Sequence, residues 1–403
     1  MASKDSPASL ATNLVSRTTT TSKVHSVLLL PGDGVGPEIA EEALKVLSTI
    51  TRTSGVQFRV RKAMTGGCSI DAHGTPLTDD VLQLAKDSDA ILFGAVGGPK
   101  WGAGAIRPEA GLLTLRKELS LFANLRPCNL PSASLTNLSP LRPEIIAGTD
   151  FVIVRENCGG AYFGTKVEEA DFASDPWAYS RSEIERVARV AAKLAYAMGK
   201  ENPTLSSDGK GGPTQVISCD KANVLASSRL WRKVVTEIYQ KEFSDIKISH
   251  QLADSAAMLM MKAPTSFNGV VVMDNTFGDI LSDVASVVPG SLGLLPSASL
   301  SGWLGEGEGG KLRGLYEPVH GSAPDIAGKG IVNPAAMILS VAMMLKYSFG
   351  MTKEAKDIEN AVAKVLDSKD VGGLEIRTGD LGGKASTKQL GDAICEVLLS
   401  GGQ

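Results

Sequence analysis

Residues 27–38 read Val27-Leu28-Leu29-Leu30-Pro31-Gly32-Asp33-Gly34-Val35-Gly36-Pro37-Glu38. Four apolar residues closed off by Pro and Gly predict a short buried strand. Glycine at every second position predicts a tight loop, and the chain from Glu38 has a helical pattern. Strand, glycine loop and helix in this order suggest a dinucleotide fold. The spacing, however, is GxGxG followed by Pro and not GxGxxG. The next strand, Gln57–Lys62, ends in basic residues, so no acid stands ready for a ribose. The stretch predicts an α/β protein that lacks the standard Rossmann fingerprint.

Working outward, short apolar runs recur at Ala90–Phe93, Phe151–Val154 and Val270–Met273. Helical periods lie between them, the clearest being Ile184, Val187, Ala188, Ala191, Leu194, Ala195 and Met198. From Pro334 onward the chain reads as mostly helical. Strands alternating with helices predict an α/β fold of largely parallel sheets flanked by helices. A length of 403 residues exceeds what one core usually supports, so two lobes with a cleft are expected. No internal repeat is visible. Gly321–Gly330 superficially resembles a phosphate-binding P-loop. It has six residues between glycines where four are needed, and Gly where Ser or Thr must reach a metal.

A net charge of −3 gives no global field for nucleic acid or an anionic membrane, so an anionic substrate needs a local arginine cluster. Apolar stretches such as Ile338–Leu345 are too short to span a bilayer. The five cysteines (68, 128, 158, 219 and 395) form no CxxC, which fits a reducing, intracellular setting. Residues 1–23 are rich in Ser and Thr without an apolar h-region. They read as a disordered leader of a cytoplasmic protein, with a mitochondrial presequence as the alternative. Glycine is in excess, 43 residues against roughly 7% in average proteins. The excess predicts tight turns, or backbone brought close to a ligand. Six of these glycines lie between Gly302 and Gly314, a stretch that reads as a long surface loop.

Four sets of residues carry chemistry. Arg116, Arg126 and Arg155 each follow an apolar run, and the planar guanidinium fork suits the carboxylates of a small diacid. The alternative is three solvated surface arginines. Asp279 and Asp283 in Asp274-Asn-Thr-Phe-Gly-Asp279-Ile-Leu-Ser-Asp283 share one helix face, where like charges repel unless a hard cation such as Mg²⁺ or Mn²⁺ neutralises them. Placement of acids near a helix N-terminus is the competing reading. Tyr162, after Gly159-Gly160, and Lys221 are candidates for general acid and base. His320, followed by Asp325, could hydrogen-bond a nucleotide. His25, His73 and His250 have no liganding spacing and read as structural.

Together these segments resemble the isopropylmalate dehydrogenases of the β-decarboxylating dehydrogenase superfamily, from about Val24 to the C-terminus. The resemblance is carried by Gly32–Glu38, Gly94-Ala-Val-Gly-Gly-Pro-Lys-Trp101, Leu121-Phe-Ala-Asn-Leu-Arg-Pro127, Asp274–Asp283, Gly293–Ser299 and Glu317-Pro-Val-His-Gly-Ser-Ala-Pro-Asp-Ile-Ala-Gly-Lys-Gly330. It implies a non-Rossmann, two-domain fold. Residues 24–121 with 290–403 would form the cofactor-side domain. Residues 122–289 would form the dimerisation and metal-side domain, with an arm at about 163–181 that clasps a second copy.

The same resemblance implies a homodimer whose active site is shared between subunits. Arg116, Arg126 and Arg155 would bind the diacid. Asp279 and Asp283, with Asp254 of the partner subunit, would hold Mg²⁺ or Mn²⁺. Lys221 of the partner subunit would take the hydroxyl proton, and Tyr162 would reprotonate the product. NAD would lie against Glu109, Asn223, His320, Gly321, Ser322, Ala323, Asp325, Ile326 and Asn333. The acid at Asp325 accepts ribose hydroxyls and repels a 2′-phosphate, which favours NAD over NADP. Leu112 and Leu113 would face the variable group of the substrate. They offer apolar surface to an isopropyl group, and a third carboxylate there would find no donor. The expected activity is therefore oxidative decarboxylation of 3-isopropylmalate in leucine biosynthesis. The same chemistry on a related 2-alkylmalate, homoisocitrate or tartrate is the alternative. Asn157-Cys158, Ala161, Thr276 and Val284 depart from the usual family pattern without removing any catalytic group.

Overall fold

The computed structural model describes residues 24–102, 106–306 and 312–401. The leader expected over 1–23 lies outside them, as do residues 307–311 of the glycine-rich segment. In chain order the elements begin β1 (Val24–Gly32), α1 (Gly36–Ser54), β2 (Gln57–Lys62), α2 (Gly67–His73), α3 (Asp79–Asp87), β3 (Ala90–Ala95), α4 (Glu109–Glu118), β4 (Ala123–Asn129), α5 (Pro143–Ile146) and β5 (Asp150–Glu156). There follow β6 (Val167–Glu168), β7 (Ala173–Ser174), α6 (Arg181–Glu201), β8 (Val216–Asp220), α7 (Ala226–Glu242), β9 (Ile248–Leu252), α8 (Ala253–Lys262), β10 (Gly269–Met273) and α9 (Asn275–Ala285). The chain closes with β11 (Pro296–Leu300), β12 (Gly314–Pro318), α10 (Ala335–Phe349), α11 (Thr352–Leu366) and α12 (Thr387–Leu399).

Ten strands form one sheet in the order β2-β1-β3-β12-β11-β4-β5-β10-β8-β9. The two ends are parallel, β2-β1-β3-β12 on one side and β5-β10-β8-β9 on the other. The middle pairings, β12-β11, β11-β4 and β4-β5, are antiparallel. The sheet is thus mostly parallel, as the alternating pattern predicts. Both faces are covered, and the strand period of two decides which helix layer each side chain meets. Val27 and Leu29 pack among residues of α1, α10, α11 and α12, whereas Leu28 and Leu30 pack with Ala85 of α3 and Leu115 of α4. In the same way Val152 and Val154 meet the side carrying α6 and α7, and Phe151 and Ile153 meet α8 and α9.

The opening glycines serve a purpose other than the expected one. A Cβ on Gly34 would stand 2.0 Å from the Ser322 carbonyl oxygen, and φ there is +58°. Gly32, Gly36 and Gly94 are likewise pressed against the backbone of Ala95 or Pro31. These glycines let the chain pack on itself, which corrects the expectation that they approach a ligand. Gly321, Gly328 and Gly330, in contrast, face open space. In the Gly302–Gly314 segment, Gly314 is buried at the start of β12, so the loop ends one residue earlier than expected.

Residues 163–181 include the two-stranded β6-β7 ribbon, in which Val167 pairs with Ser174. It is joined to α6 by Ser180, which caps that helix through a reciprocal bond with Glu183.

Candidate active site

In sheets of this kind ligands gather outside the carboxyl ends of the parallel strands. Arg155 lies at the end of β5, Lys221 just past β8, and Asp274 just past β10. Arg126 comes from β4 alongside β5, and Arg116 from the last turn of α4.

Arg116 and Arg155 are buried and Arg126 is half-buried, and the protein only partly neutralises them. Arg116 Nη2 donates to Glu317 Oε1 at 2.9 Å. Arg126 donates through Nε to Asn124 Oδ1 at 2.9 Å and through Nη1 to Ser282 Oγ at 2.6 Å. Asn124 is itself fixed by Ser297 and Ser299 of β11, at 2.8 and 3.1 Å, so the polar centre of the sheet aims this arginine. Arg155 donates through Nε to Asn275 Oδ1 at 2.9 Å and through Nη1 to Asp279. Burial, and next the neighbouring Arg116, lowers the affinity of Arg126 for its proton. Arg155 is pushed down to about 10 by burial and next by Arg126. Cations gathered in a low-dielectric setting, with Arg116 bearing on Arg126 and Arg126 on Arg155, have the chemistry to hold an anion.

Tyr162 stands beside them. Its hydroxyl donates to Asp279 Oδ2 at 2.9 Å, and the Arg155 guanidinium lies 5.8 Å from its ring centre. Burial, followed by the Asp279 carboxylate, raises its pKa. Asp279 and Asp283 lie one turn apart on α9. They present hard carboxylate oxygens of the kind Mg²⁺ or Mn²⁺ takes. Among the described residues no third His, Cys, Asp or Glu completes a cluster with them. Asp254, at the start of α8, is paired instead with Lys221 at 2.6 Å, and this ion pair holds its carboxyl below the usual range.

The cofactor candidates meet on a second surface. Ser322 accepts from Val35 N–H at 2.9 Å, which seats the 320–323 turn on the loop quoted at the outset. His320 Nδ1 bonds Gly321 O at 2.9 Å, while Nε2 is buried without a protein partner. That orphaned nitrogen, and the exposed carboxylate of Asp325, fit a nucleotide. Asn333 is buried and bonded to Asp380 at 3.0 Å. Glu109 approaches Gly97, Ile326 is half-buried, and Ala323 has a left-handed φ of 37°. Asn223 is exposed next to Lys221. Leu112 is half-buried and Leu113 exposed on α4, one turn or less before Arg116. Two surface cavities of about 560 and 500 Å³ are lined by none of these residues.

Several supporting groups carried no separate signal in the sequence. Asp33 is buried and accepts from Gly67, Cys68 and Gly97 N–H at 2.7, 2.7 and 3.0 Å. Glu156 is buried against Arg186 at 3.0 Å. Glu317 and Asn275 lie inside the quoted motifs, but only their three-dimensional partners reveal what they do.

Arginines gathered beside carboxylates and a phenol have the chemistry to hold a small anionic substrate, and sequence comparison identifies the family. A family profile described as isocitrate/isopropylmalate dehydrogenase matches residues 26–394, and the chain belongs to that family. It is 58% identical to a 3-isopropylmalate dehydrogenase of Hapsidospora chrysogena, with 93% of this chain and 97% of the relative covered. It is 54% identical to the enzyme of that name from Pichia angusta, covering 93% and 98%. Among solved structures, isocitrate dehydrogenase from Methylococcus capsulatus superposes with a TM-score of 0.76 at 33% identity, covering 93% and 99%. A β-decarboxylating dehydrogenase from Thermococcus kodakarensis does so at 0.72 and 34%, covering 93% and 96%. No helix among the described residues is long and apolar enough to cross a membrane.

Proposed function

We propose that the protein catalyses the NAD-dependent oxidative decarboxylation of 3-isopropylmalate to 4-methyl-2-oxopentanoate, a step of leucine biosynthesis. The observation that carries this reading is the cluster of Arg116, Arg126 and Arg155, in which Arg155 and the Tyr162 hydroxyl both donate to the Asp279 carboxylate. The arginines bind the substrate carboxylates and orient C2. Asp279 and Asp283, with Asp254 of the partner subunit, supply oxygen ligands for Mg²⁺ or Mn²⁺. When bound, NAD supplies the hydride acceptor and the divalent cation supplies a Lewis acid. Lys221 of the partner subunit takes the C2 hydroxyl proton. Loss of CO₂ leaves an enolate, and the Tyr162 hydroxyl, whose raised pKa keeps it protonated at neutral pH, delivers a proton to the enolate carbon.

In this reading residues 24–121 with 290–403 form the cofactor-side domain and residues 122–289 the metal-side domain. The strand order supports the division, since β1, β2, β3, β11 and β12 are contiguous in the sheet. The arm over 163–181 clasps a second copy, and each site draws on both subunits. Leu112 and Leu113 select the isopropyl group.

The test is NADH formation, read by absorbance, when the purified full chain with Mg²⁺ and NAD is offered 3-isopropylmalate, isocitrate, homoisocitrate and tartrate separately. 3-Isopropylmalate is the expected preferred substrate. Preference for isocitrate overturns the pocket argument, and no NADH from any of the four overturns the dehydrogenase reading.

A further inference from the structure

Asn275 is the first residue of α9 and is fully buried. Both ends of its side-chain amide are in use: Oδ1 accepts from Arg155 Nε at 2.9 Å and Nδ2 donates to the Gly159 carbonyl at 2.9 Å. Its backbone N–H donates to the Tyr179 hydroxyl at 2.9 Å. One residue therefore ties together the substrate-binding arginine, the turn that leads to Tyr162, and the base of the 163–181 arm.

We propose that Asn275 is a positioning residue for both halves of the reaction, fixing the Arg155 guanidinium for the substrate carboxylate and the Gly159-Gly160 turn for Tyr162. Asp279, the other partner of Arg155, also accepts from Tyr162. It is one of the carboxylates assigned to the cation. Once a cation engages Asp279, the ion pair with Arg155 competes with it. The neutral amide of Asn275 keeps its hold on Nε whatever the state of Asp279. The guanidinium is confined further by Gly278, where a Cβ would stand 2.4 Å from Arg155 Cγ, so its stem lies flat on α9. The turn is confined on its other side by the Tyr179 ring, which a Cβ on Gly159 would approach to 2.7 Å. Gly159 precedes Tyr162 by three residues, and a carbonyl held there fixes the short turn carrying the phenol.

This inference rests on the dehydrogenase reading, and the wild-type chain is the control that separates the two. Wild type that forms no NADH from 3-isopropylmalate counts against that reading, whereas active wild type beside unaffected variants counts against Asn275 alone. Asn275→Ala removes both amide bonds and is expected to raise KM for 3-isopropylmalate at least about tenfold and to lower kcat. In an Arg155→Lys background, which lacks the Nε–H, the same change should leave KM within about twofold, because the contact it breaks is already gone. A merely structural role would give equal losses in both backgrounds, and that result overturns the proposal. Asn275→Asp keeps the shape and an acceptor for Arg155 but loses the donor to Gly159. Its kcat is expected to fall at least about fivefold, and unchanged kcat and KM overturn the proposal even if Asn275→Ala does not fold. As a readout without turnover, 3-isopropylmalate with Mn²⁺ should raise the Tm of wild type and fail to raise that of Asn275→Ala. An equal rise in both counts against the assignment.

Discussion

Replacing Arg126 by Met separates binding from folding more sharply than any other change at the site. The cost of burying the Arg126 charge is aggravated by Arg116, and that charge in turn bears on Arg155. On the folding side, the variant loses the bonds to Asn124 and Ser282, each worth about 1.5–3 kcal/mol as charge-assisted contacts. Against this, a desolvated guanidinium disappears. Arg155, held at about 10 partly by Arg126, regains some of the roughly 3 kcal/mol by which its surroundings disfavour its charge. An apolar side chain of similar length also fills the space. These contributions nearly cancel, so Tm should change little. On the binding side nothing cancels: a substrate carboxylate would lose its partner in a buried site, a cost of about 3–5 kcal/mol. That corresponds to a fall of roughly two to three and a half orders of magnitude in kcat/KM. The assay is initial-rate NADH formation across 3-isopropylmalate concentrations, with thermal unfolding of the same preparations. A variant that keeps kcat/KM within about threefold while losing many degrees in Tm would show Arg126 to be structural and would refute the anion-site argument.

Other outcomes follow from the same geometry. Burial raises the Asp274 carboxyl to about 7, above its unfolded value, despite the donors Phe277 N–H and Trp177 Nε1–H at 2.9 and 3.1 Å. The folded state then holds the extra proton between about pH 4 and 7, so this group's stabilising contribution declines as pH rises through that window. The Tm of Asp274→Asn should gain on wild type as pH rises, and parallel curves from pH 4.5 to 8 would contradict this. If the site is shared, Lys221→Ala and Arg155→Ala chains are each inactive alone. Co-refolded, they should recover about a quarter of wild-type turnover, since one of two sites in each mixed dimer is intact; no recovery rules out sharing between these residues. Changing Leu112 to Ser together with Leu113 to Asn should reduce the preference for 3-isopropylmalate over malate about tenfold. The estimate is about 0.8 kcal/mol per buried carbon for three carbons, discounted because Leu113 is partly exposed. An unchanged preference would place the isopropyl pocket elsewhere.

Much of this was legible in the chain itself. Period and composition marked β1, β3, β5 and β10, because strands buried on both faces are nearly continuous apolar runs. They gave no sign of β4 (Ala-Asn-Leu-Arg-Pro-Cys-Asn) or β11 (Pro-Ser-Ala-Ser-Leu). These lie in the antiparallel centre, where the Asn124 amide donates to the hydroxyls of Ser297 and Ser299, so polar residues occupy positions that pattern rules reserve for apolar ones. Pro127 is tolerated in β4 because it lies beyond Leu125, the last residue of that end paired with β11.

The sequence by itself determined the α/β class, the absence of a Rossmann fingerprint and the identity of the charged side chains, since each depends on local spacing and residue chemistry. Only the tertiary structure decided what those side chains do to one another. Arg116, Arg126 and Arg155 are apart in the chain, and the fold brings them close enough for the charge of one to bear on the next, a tertiary electrostatic effect that no local pattern encodes. The glycines of residues 27–38 show the same division. Their spacing announced a tight loop, and the fold alone revealed that the backbone they admit is that of Ser322, Ala95 and Pro31.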